Sequence, residues 1–177
     1  MSRLSKGYVQ IYTGDGKGKT AAALGQALRA AGSGLKTFIV QFMKNYPYGE
    51  IRSLRFLSDW ITIEQYGDDI FVQERKLPGD IDINIAKEGL QKARKEMISG
   101  KYDIVILDEI CVALYYNLIK LDEIFHLLLD KPEHVELILT GRYWPKELLE
   151  KADLVTEMKE IKHYYQKGVS ARKGIEL

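Results

Sequence analysis

The chain has 177 residues, 46% of them hydrophobic, so we expect residues 1–177 to form a single domain around a sizeable core. A formal net charge of +1 gives no overall attraction to nucleic acid or membranes, and a single cysteine excludes an internal disulfide framework. No apolar run reaches the roughly 18 residues of a membrane span, and the N-terminus lacks a signal peptide's apolar segment, so we expect a cytoplasmic protein.

The first predicted elements are a strand over residues 8–13 and a helix over residues 18–31, joined by a glycine-rich loop. Glycines let successive N–H groups point inward, and the helix adds the positive end of its dipole. We expect the Lys19 ammonium to contact the outer phosphates of a nucleotide and the Thr20 hydroxyl to bind Mg²⁺. The remaining predicted nucleotide-binding residues of the loop are Gly14, Asp15, Gly16, Lys17 and Gly18.

The match to the phosphate-loop pattern G-x-x-x-x-G-K-[ST] has one departure. The pattern asks for glycine at position 13, and this chain has Thr13, with glycines at 14 and 16 instead. The alternative interpretation is a glycine-rich turn with incidental lysines. The flanking strand and helix favour a phosphate-binding loop.

Strands and helices continue to alternate after this loop. Further strands are predicted at 37–42, 61–66, 103–107, 135–140 and 154–157, and further helices at 82–99, 121–130 and 145–151. Residues 43–59 are mixed, and residues 67–79 are predicted to form a loop. The alternation predicts an α/β fold with a mostly parallel sheet flanked by helices, of the P-loop NTPase-like (RecA-like) type. Ligands of such sheets bind at the carboxyl ends of the strands.

Several polar residues fall at those strand ends. We expect Asp108 to act on Mg²⁺ through a water and Glu109 to orient a water or a second ligand group. Arg142 should face a phosphate or these two carboxylates, and Gln41 and Lys44 are candidates to contact the nucleotide or a second substrate. The alternatives are solvated carboxylates at an ordinary strand end and a surface arginine. The residues alone indicate a Mg²⁺-nucleotide-binding protein and leave its reaction open.

Several segments resemble the P-loop family of ATP:cob(I)alamin (corrinoid) adenosyltransferases. They are YTGDGKGKTAAALGQALRAAG, VQFMK, YDIVILDEI, LILTGR and ADLVTEMKEIKHYYQKGVSARKGIEL. The first is the family's variant phosphate loop, including a non-glycine residue at Thr13. The last discriminates best, because ordinary P-loop kinases and ATPases do not end in such a sequence.

The resemblance implies that a Co(I) corrinoid attacks the 5′ carbon of ATP and releases triphosphate. Backbone amides, Lys19 and Mg²⁺ would stabilise the leaving group, with Thr20, Asp108 and Glu109 as the other catalytic candidates. His163 is expected to have a structural or phosphate-side role. The resemblance also implies a homodimer and a reduced flavoprotein as electron donor. The alternatives are a P-loop small-molecule kinase or ATPase, and a nucleotide-binding module without chemistry.

The corrinoid side departs from the family pattern. The family carries Gly-x-Gly-Phe-Thr-Trp after the third strand, and its aromatic residues displace the lower axial ligand of cobalt. Here Phe71 matches the family phenylalanine, and Gln73 stands in place of the tryptophan. We expect Phe71 to contact the corrinoid, with Trp60, Tyr46 and Tyr48 as candidates to compensate. The preferred corrinoid stays open.

Overall fold

The computed structural model describes residues 4–46, 48–67 and 78–176. Its strands are β1 (Val9–Thr13), β2 (Thr37–Phe42), β3 (Ile61–Tyr66), β4 (Ile104–Asp108), β5 (Glu136–Thr140) and β6 (Leu154–Glu157). Its α-helices are α1 (Lys19–Gly32), α2 (Gly49–Leu54), α3 (Asp80–Ile98), α4 (Ile110–Tyr115), α5 (Leu121–Leu129) and α6 (Lys146–Leu149). Short 3₁₀ helices cover Arg55–Leu57 and Tyr164–Lys167.

The six strands form one parallel sheet in the order β3-β2-β4-β5-β1-β6. Every residue of β2, β4 and β5 is buried, as expected for central parallel strands covered by helices on both faces. Gln41 pairs in register with Asp108, and Tyr12 pairs with Thr140. The register therefore brings the polar ends of β1, β2, β4 and β5 to one edge of the sheet.

Successive side chains of the strands enter two separate cores. One face of the sheet, including Ile39, Ile106 and Ile138, packs on α1. Helix α1 presents alanines at helical spacing, Ala23, Ala27, Ala30 and Ala31, which let it lie close to the sheet. The opposite face packs on α3 to α6 in the larger core. The predicted α/β fold with a parallel sheet flanked by helices is confirmed.

The element boundaries agree with the predictions to within two residues, and β2, β3 and β6 match their predicted ranges. Helix α3 begins at Asp80 rather than residue 82, because the Asp82 carboxylate accepts a hydrogen bond from the Gly79 N–H over 2.8 Å and caps the helix. The predictions lacked α2 and α4. Helix α4 follows β4 after a single residue, Glu109, whose backbone is left-handed. No turn sequence separates the two elements, so the sequence does not indicate where the helix begins.

The predicted loop over residues 67–79 lies mostly outside the described residues. Within the described part of the chain, no helix has both the length and the apolar character needed to traverse a bilayer.

Candidate active site

The glycines of the phosphate loop are explained by close packing against the chain after β6. A Cβ atom at Gly14 or Gly16 would lie 2.4 or 2.6 Å from the Met158 carbonyl oxygen. The Gly16 N–H donates to that oxygen over 2.7 Å, and Gly14 has a φ of 95°, which favours glycine. Thr13, in contrast, is an ordinary strand residue paired with Glu157. Position 13 therefore belongs to β1, and the glycines stand where the loop closely approaches Met158.

Lys19 holds the loop from inside. Its side chain is buried, and its Nζ donates to the Gly14 and Gly16 carbonyl oxygens over 2.6 and 2.9 Å. Burial, assisted by the positive charge of Arg142, lowers the pKa of Lys19, while nearby carboxylates oppose the shift. Lys19 also lines the cavity described below.

Asp108 is the hydrogen-bonding centre of the site and is 1% exposed. Its Oδ1 accepts from the hydroxyl groups of Thr20 and Thr140 over 2.9 and 2.7 Å. Its Oδ2 accepts from Gln41 Nε2 over 3.1 Å and from Lys44 Nζ over 2.7 Å. Four donors thus fix one buried carboxyl group at the end of β4, with two hydrogen bonds to each of its oxygens.

Gln41 lies behind Asp108 rather than in the open crevice. Its side chain is fully buried, and its Oε1 accepts from Gln65 Nε2 over 3.0 Å. In this position Gln41 supports the Asp108 carboxylate, and its predicted contact with the nucleotide or a second substrate stays a prediction. Lys44 does line the cavity. Although burial opposes it, the charge and hydrogen bond of Asp108 raise the net pKa of Lys44, so its amine is charged.

Glu109 faces the cavity from a strained backbone position, with a φ of 60°. Its N–H donates to the Thr140 hydroxyl oxygen over 2.9 Å, so Thr140 links Glu109 to Asp108. Burial, followed by the Asp108 charge, raises the pKa of the Glu109 carboxyl, although Lys44, Lys19 and Arg142 act against the shift.

Arg142 also lines the cavity, and its Nη2 donates to the Asp15 carbonyl oxygen over 3.0 Å. It follows Gly141, where a Cβ atom would lie 2.6 Å from the Cβ of Cys111. Cys111 is a buried packing residue, as predicted. The end of β5 therefore packs closely against α4 just before Arg142.

The C-terminal segment forms a wall of the site that the motif analysis did not predict. Lys17 Nζ donates to Glu176 Oε1 over 2.8 Å and to the Ile175 carbonyl oxygen over 3.0 Å, and it also contacts the Tyr164 hydroxyl. Glu176 also pairs with Arg172 and accepts from the Tyr164 hydroxyl. The hydrogen bonds from Arg172, then Lys17 and Tyr164, lower the pKa of the Glu176 carboxyl. Lys17, predicted to contact nucleotide, is thus engaged with residues about 160 positions away. The family-like C-terminal sequence was the one feature that could have indicated this contribution to the site.

The cavity bounded by these elements has a volume of about 730 Å³, which suits a nucleotide-sized ligand. Asp15, Gly16, Lys17, Gly18, Lys19 and Thr20 line its floor, and His163, Gly174, Ile175 and Glu176 line one side. His163 Nδ1 accepts from the Tyr165 N–H over 3.0 Å, which gives it a structural role as well.

The described aromatic candidates lie in two different places. Tyr48 lines the cavity, and its ring lies 5.1 Å from that of Tyr46. Trp60 packs against the core on the α1 side. Phe71 and Gln73 lie outside the described residues, so the assignment of Phe71 to the corrinoid stays a prediction. Across residues 4–46, 48–67 and 78–176, no three His, Cys, Asp or Glu side chains gather as a metal site.

A parallel α/β sheet, a phosphate loop after β1 and a buried aspartate hydrogen-bonded to the loop threonine together define a P-loop nucleotide-binding protein. A sequence profile of the family described as "ATP:corrinoid adenosyltransferase BtuR/CobO/CobP" matches residues 5–177. The chain belongs to this family, as the sequence resemblance indicated.

Individual relatives agree over nearly the whole chain. The corrinoid adenosyltransferase of Escherichia coli (strain K12) is 34% identical over 177 residues, which cover 97% of this chain and 86% of the relative. That of Salmonella typhimurium is 33% identical over 172 residues with the same coverage. That of Sinorhizobium sp is 32% identical over 184 residues, covering 97% of this chain and 81% of the relative.

Proposed function

We propose that this protein transfers the 5′-deoxyadenosyl group of ATP to the Co(I) centre of a corrinoid and releases triphosphate. The observation that carries the proposal is the family match over residues 5–177, which includes both the phosphate loop and the C-terminal wall of the same cavity. A generic nucleotide site would need only the first of these.

In the proposed reaction, a Co(I) lone pair forms a bond to C5′ while the C5′–O bond breaks. The electron pair of that bond leaves with the triphosphate, and cobalt is formally oxidised by two electrons. The corrinoid supplies the nucleophile, so the protein's task is to position C5′ and to stabilise charge on the leaving group.

The phosphate loop suits that task. The unpaired N–H groups at the start of α1 and the positive end of its dipole favour anionic oxygens. Lys19 would release the carbonyl oxygens of Gly14 and Gly16 and bind the triphosphate. Arg142 faces the same cavity and would bind a second part of it. Because no water is activated, Glu109 has no need to act as a hydrolytic base, and we assign it to orienting the groups around the nucleotide.

The residues present also fit Mg²⁺, the metal that we propose accompanies ATP. The Thr20 hydroxyl and the Asp108 carboxylate are hard oxygen donors 2.9 Å apart at the loop. They would hold the ion, Asp108 through a water. When bound, Mg²⁺ supplies further positive charge against the triphosphate.

The remaining proposals rest on the family resemblance. Residues 1–177 would act as one domain, and two copies would form a homodimer in the cytoplasm. A reduced flavoprotein would deliver electrons to cobalt, and Phe71 would contact the corrinoid, either cobalamin or a biosynthetic precursor.

Product analysis tests the proposed function. Purified protein is incubated anaerobically with Mg-ATP and chemically reduced cob(I)alamin, and the corrinoid spectrum and phosphate products are followed. We expect adenosylcobalamin and triphosphate in equal amounts. ADP with phosphate or a phosphorylated product would assign the protein to the kinase or ATPase class. Nucleotide binding without any turnover would indicate a module without chemistry.

A further inference from the structure

Lys44 lies where the two proposed Mg²⁺ ligands meet. Its Nζ is 2.7 Å from Asp108 Oδ2 and 3.3 Å from the Thr20 hydroxyl oxygen. One ammonium therefore contacts an oxygen of each residue that the proposed function assigns to the metal. A divalent ion bound to the same two residues would stand beside this positive charge, and like charges at such distances repel strongly where water is largely excluded.

The Asp108 carboxylate needs a positive partner even without a ligand. It is 1% exposed, and three of its four hydrogen-bond donors, on Thr20, Thr140 and Gln41, are neutral. A buried carboxylate with no opposite charge is strongly unfavourable. Lys44 is the ion-pair partner of Asp108 in the described part of the chain. It thus supplies the charge that a metal would otherwise supply.

The Lys44 side chain can move while its backbone stays in place. The preceding residue, Met43, has a φ of 57°, and its N–H donates to the Tyr66 carbonyl oxygen over 2.9 Å. A Cβ atom at Gly67 would lie 2.3 Å from the backbone nitrogen of Lys44, so the backbone here is tightly packed. The side chain, in contrast, is 18% exposed and lines the nucleotide cavity on a flexible four-carbon stem. Rotation of that stem would carry the ammonium from Asp108 into the cavity.

We propose that the Lys44 ammonium occupies the divalent-cation position while nucleotide is absent and is exchanged for Mg²⁺ when Mg-ATP binds. The inference rests on the proposed function, because it takes Mg-ATP as the ligand. ATP brings enough negative charge to pair with both the incoming ion and the displaced ammonium, which joins Lys19 and Arg142 on the triphosphate. Free divalent ions are excluded from the empty site, and metal and nucleotide bind with positive coupling.

The test measures metal binding rather than turnover. Mn²⁺, a paramagnetic probe for Mg²⁺, is titrated into nucleotide-free protein, and the free ion is counted by electron paramagnetic resonance. We expect Lys44→Gln to bind Mn²⁺ at least about tenfold more tightly than wild type, a factor within the usual range of coupling between sites. Lys44→Arg keeps the charge and should exclude Mn²⁺ as wild type does. Arg142→Gln is the matched control, because it removes one positive charge from the same cavity without contacting Asp108.

Equal Mn²⁺ affinity of folded wild type and Lys44→Gln would overturn the proposal, and so would an equal gain in Arg142→Gln. If Lys44→Gln does not fold, a crystal structure of wild type with Mg²⁺ and a non-reactive ATP analogue decides. We expect Lys44 Nζ to lie beyond about 4 Å from Asp108 Oδ2, outside ion-pair distance, and a retained contact would refute the exchange. Exchange without adenosylcorrinoid formation would refute the proposed function alone, and turnover without exchange would refute this inference alone.

Discussion

Thr140 joins the two acidic residues of the site, and replacing it with valine tests how tightly that connection is built. Its hydroxyl donates to Asp108 Oδ1 over 2.7 Å and accepts from the Glu109 N–H over 2.9 Å, in a fully buried position. Valine has nearly the same shape, so Thr140→Val removes two hydrogen bonds and leaves no cavity. A hydrogen bond to a charged group is worth roughly 1.5–3 kcal/mol and an unsatisfied buried N–H costs roughly 1–3 kcal/mol.

Allowing for local relaxation, we expect Thr140→Val to lower the free energy of unfolding by about 3 kcal/mol. For a chain of this size, that corresponds to a fall in Tm of about 6–12 °C. The assay is urea unfolding at neutral pH, followed by circular dichroism in parallel with a thermal scan.

Thr37→Val is the matched control. Thr37 is also fully buried in a central strand, but its hydroxyl oxygen finds no hydrogen-bond partner among the described residues. The same substitution there should leave stability unchanged or raise it by about 1 kcal/mol, because an unsatisfied polar group is removed. If the two variants differ by less than about 1 kcal/mol, which is the value of one ordinary hydrogen bond, the described linkage of Asp108 and Glu109 is wrong.

Three further predictions follow from the loop and from Glu109. Lys19→Ala should reduce turnover by about 10²–10³-fold or more, as expected for loss of one group that stabilises a leaving-group charge; a folded variant with wild-type turnover would remove Lys19 from that role. Gly16→Ala should destabilise the fold by about 1–3 kcal/mol, because the added methyl group would clash with the Met158 backbone. Gly25→Ala is the control: it has open space around it in α1 and should stabilise the fold by about 0.5–1 kcal/mol. Similar free energies of unfolding for the two variants in urea would contradict the close packing at Gly16. The raised pKa of Glu109 means that ionising it opposes folding, so Glu109→Gln should be more stable than wild type at pH 7.5. This gain should disappear as the pH falls to the ordinary Glu pKa of about 4.3, and a gain that is independent of pH would contradict the shift.

The sequence predicted what is local along the chain. The phosphate loop, the helix behind it and the acidic pair after β4 each occupy a few consecutive residues with a recognisable pattern. The sheet followed because buried parallel strands are nearly continuous apolar runs, and β2 matched its predicted range.

What the sequence did not predict depends on contacts between distant residues. The orientation of Gln41 toward Asp108 is set by the pairing of β2 with β4, and no local pattern distinguishes a polar side chain that supports a ligand from one that binds it. The engagement of Lys17 by Glu176 spans 159 positions. The left-handed conformation of Glu109 arises because α4 begins at once after β4. Each of these features is a consequence of tertiary packing.

The central claim is that the bond between C5′ and oxygen breaks, and isotope labelling at that oxygen tests it directly. ATP carrying ¹⁸O at the 5′ bridging position is supplied with Mg²⁺ and cob(I)alamin under anaerobic conditions, and the products are analysed by mass spectrometry. Attack at C5′ predicts that the label leaves entirely in the triphosphate and that the adenosylcorrinoid is unlabelled. Label retained on ADP or another nucleoside product, with unlabelled phosphate, would contradict adenosyl transfer.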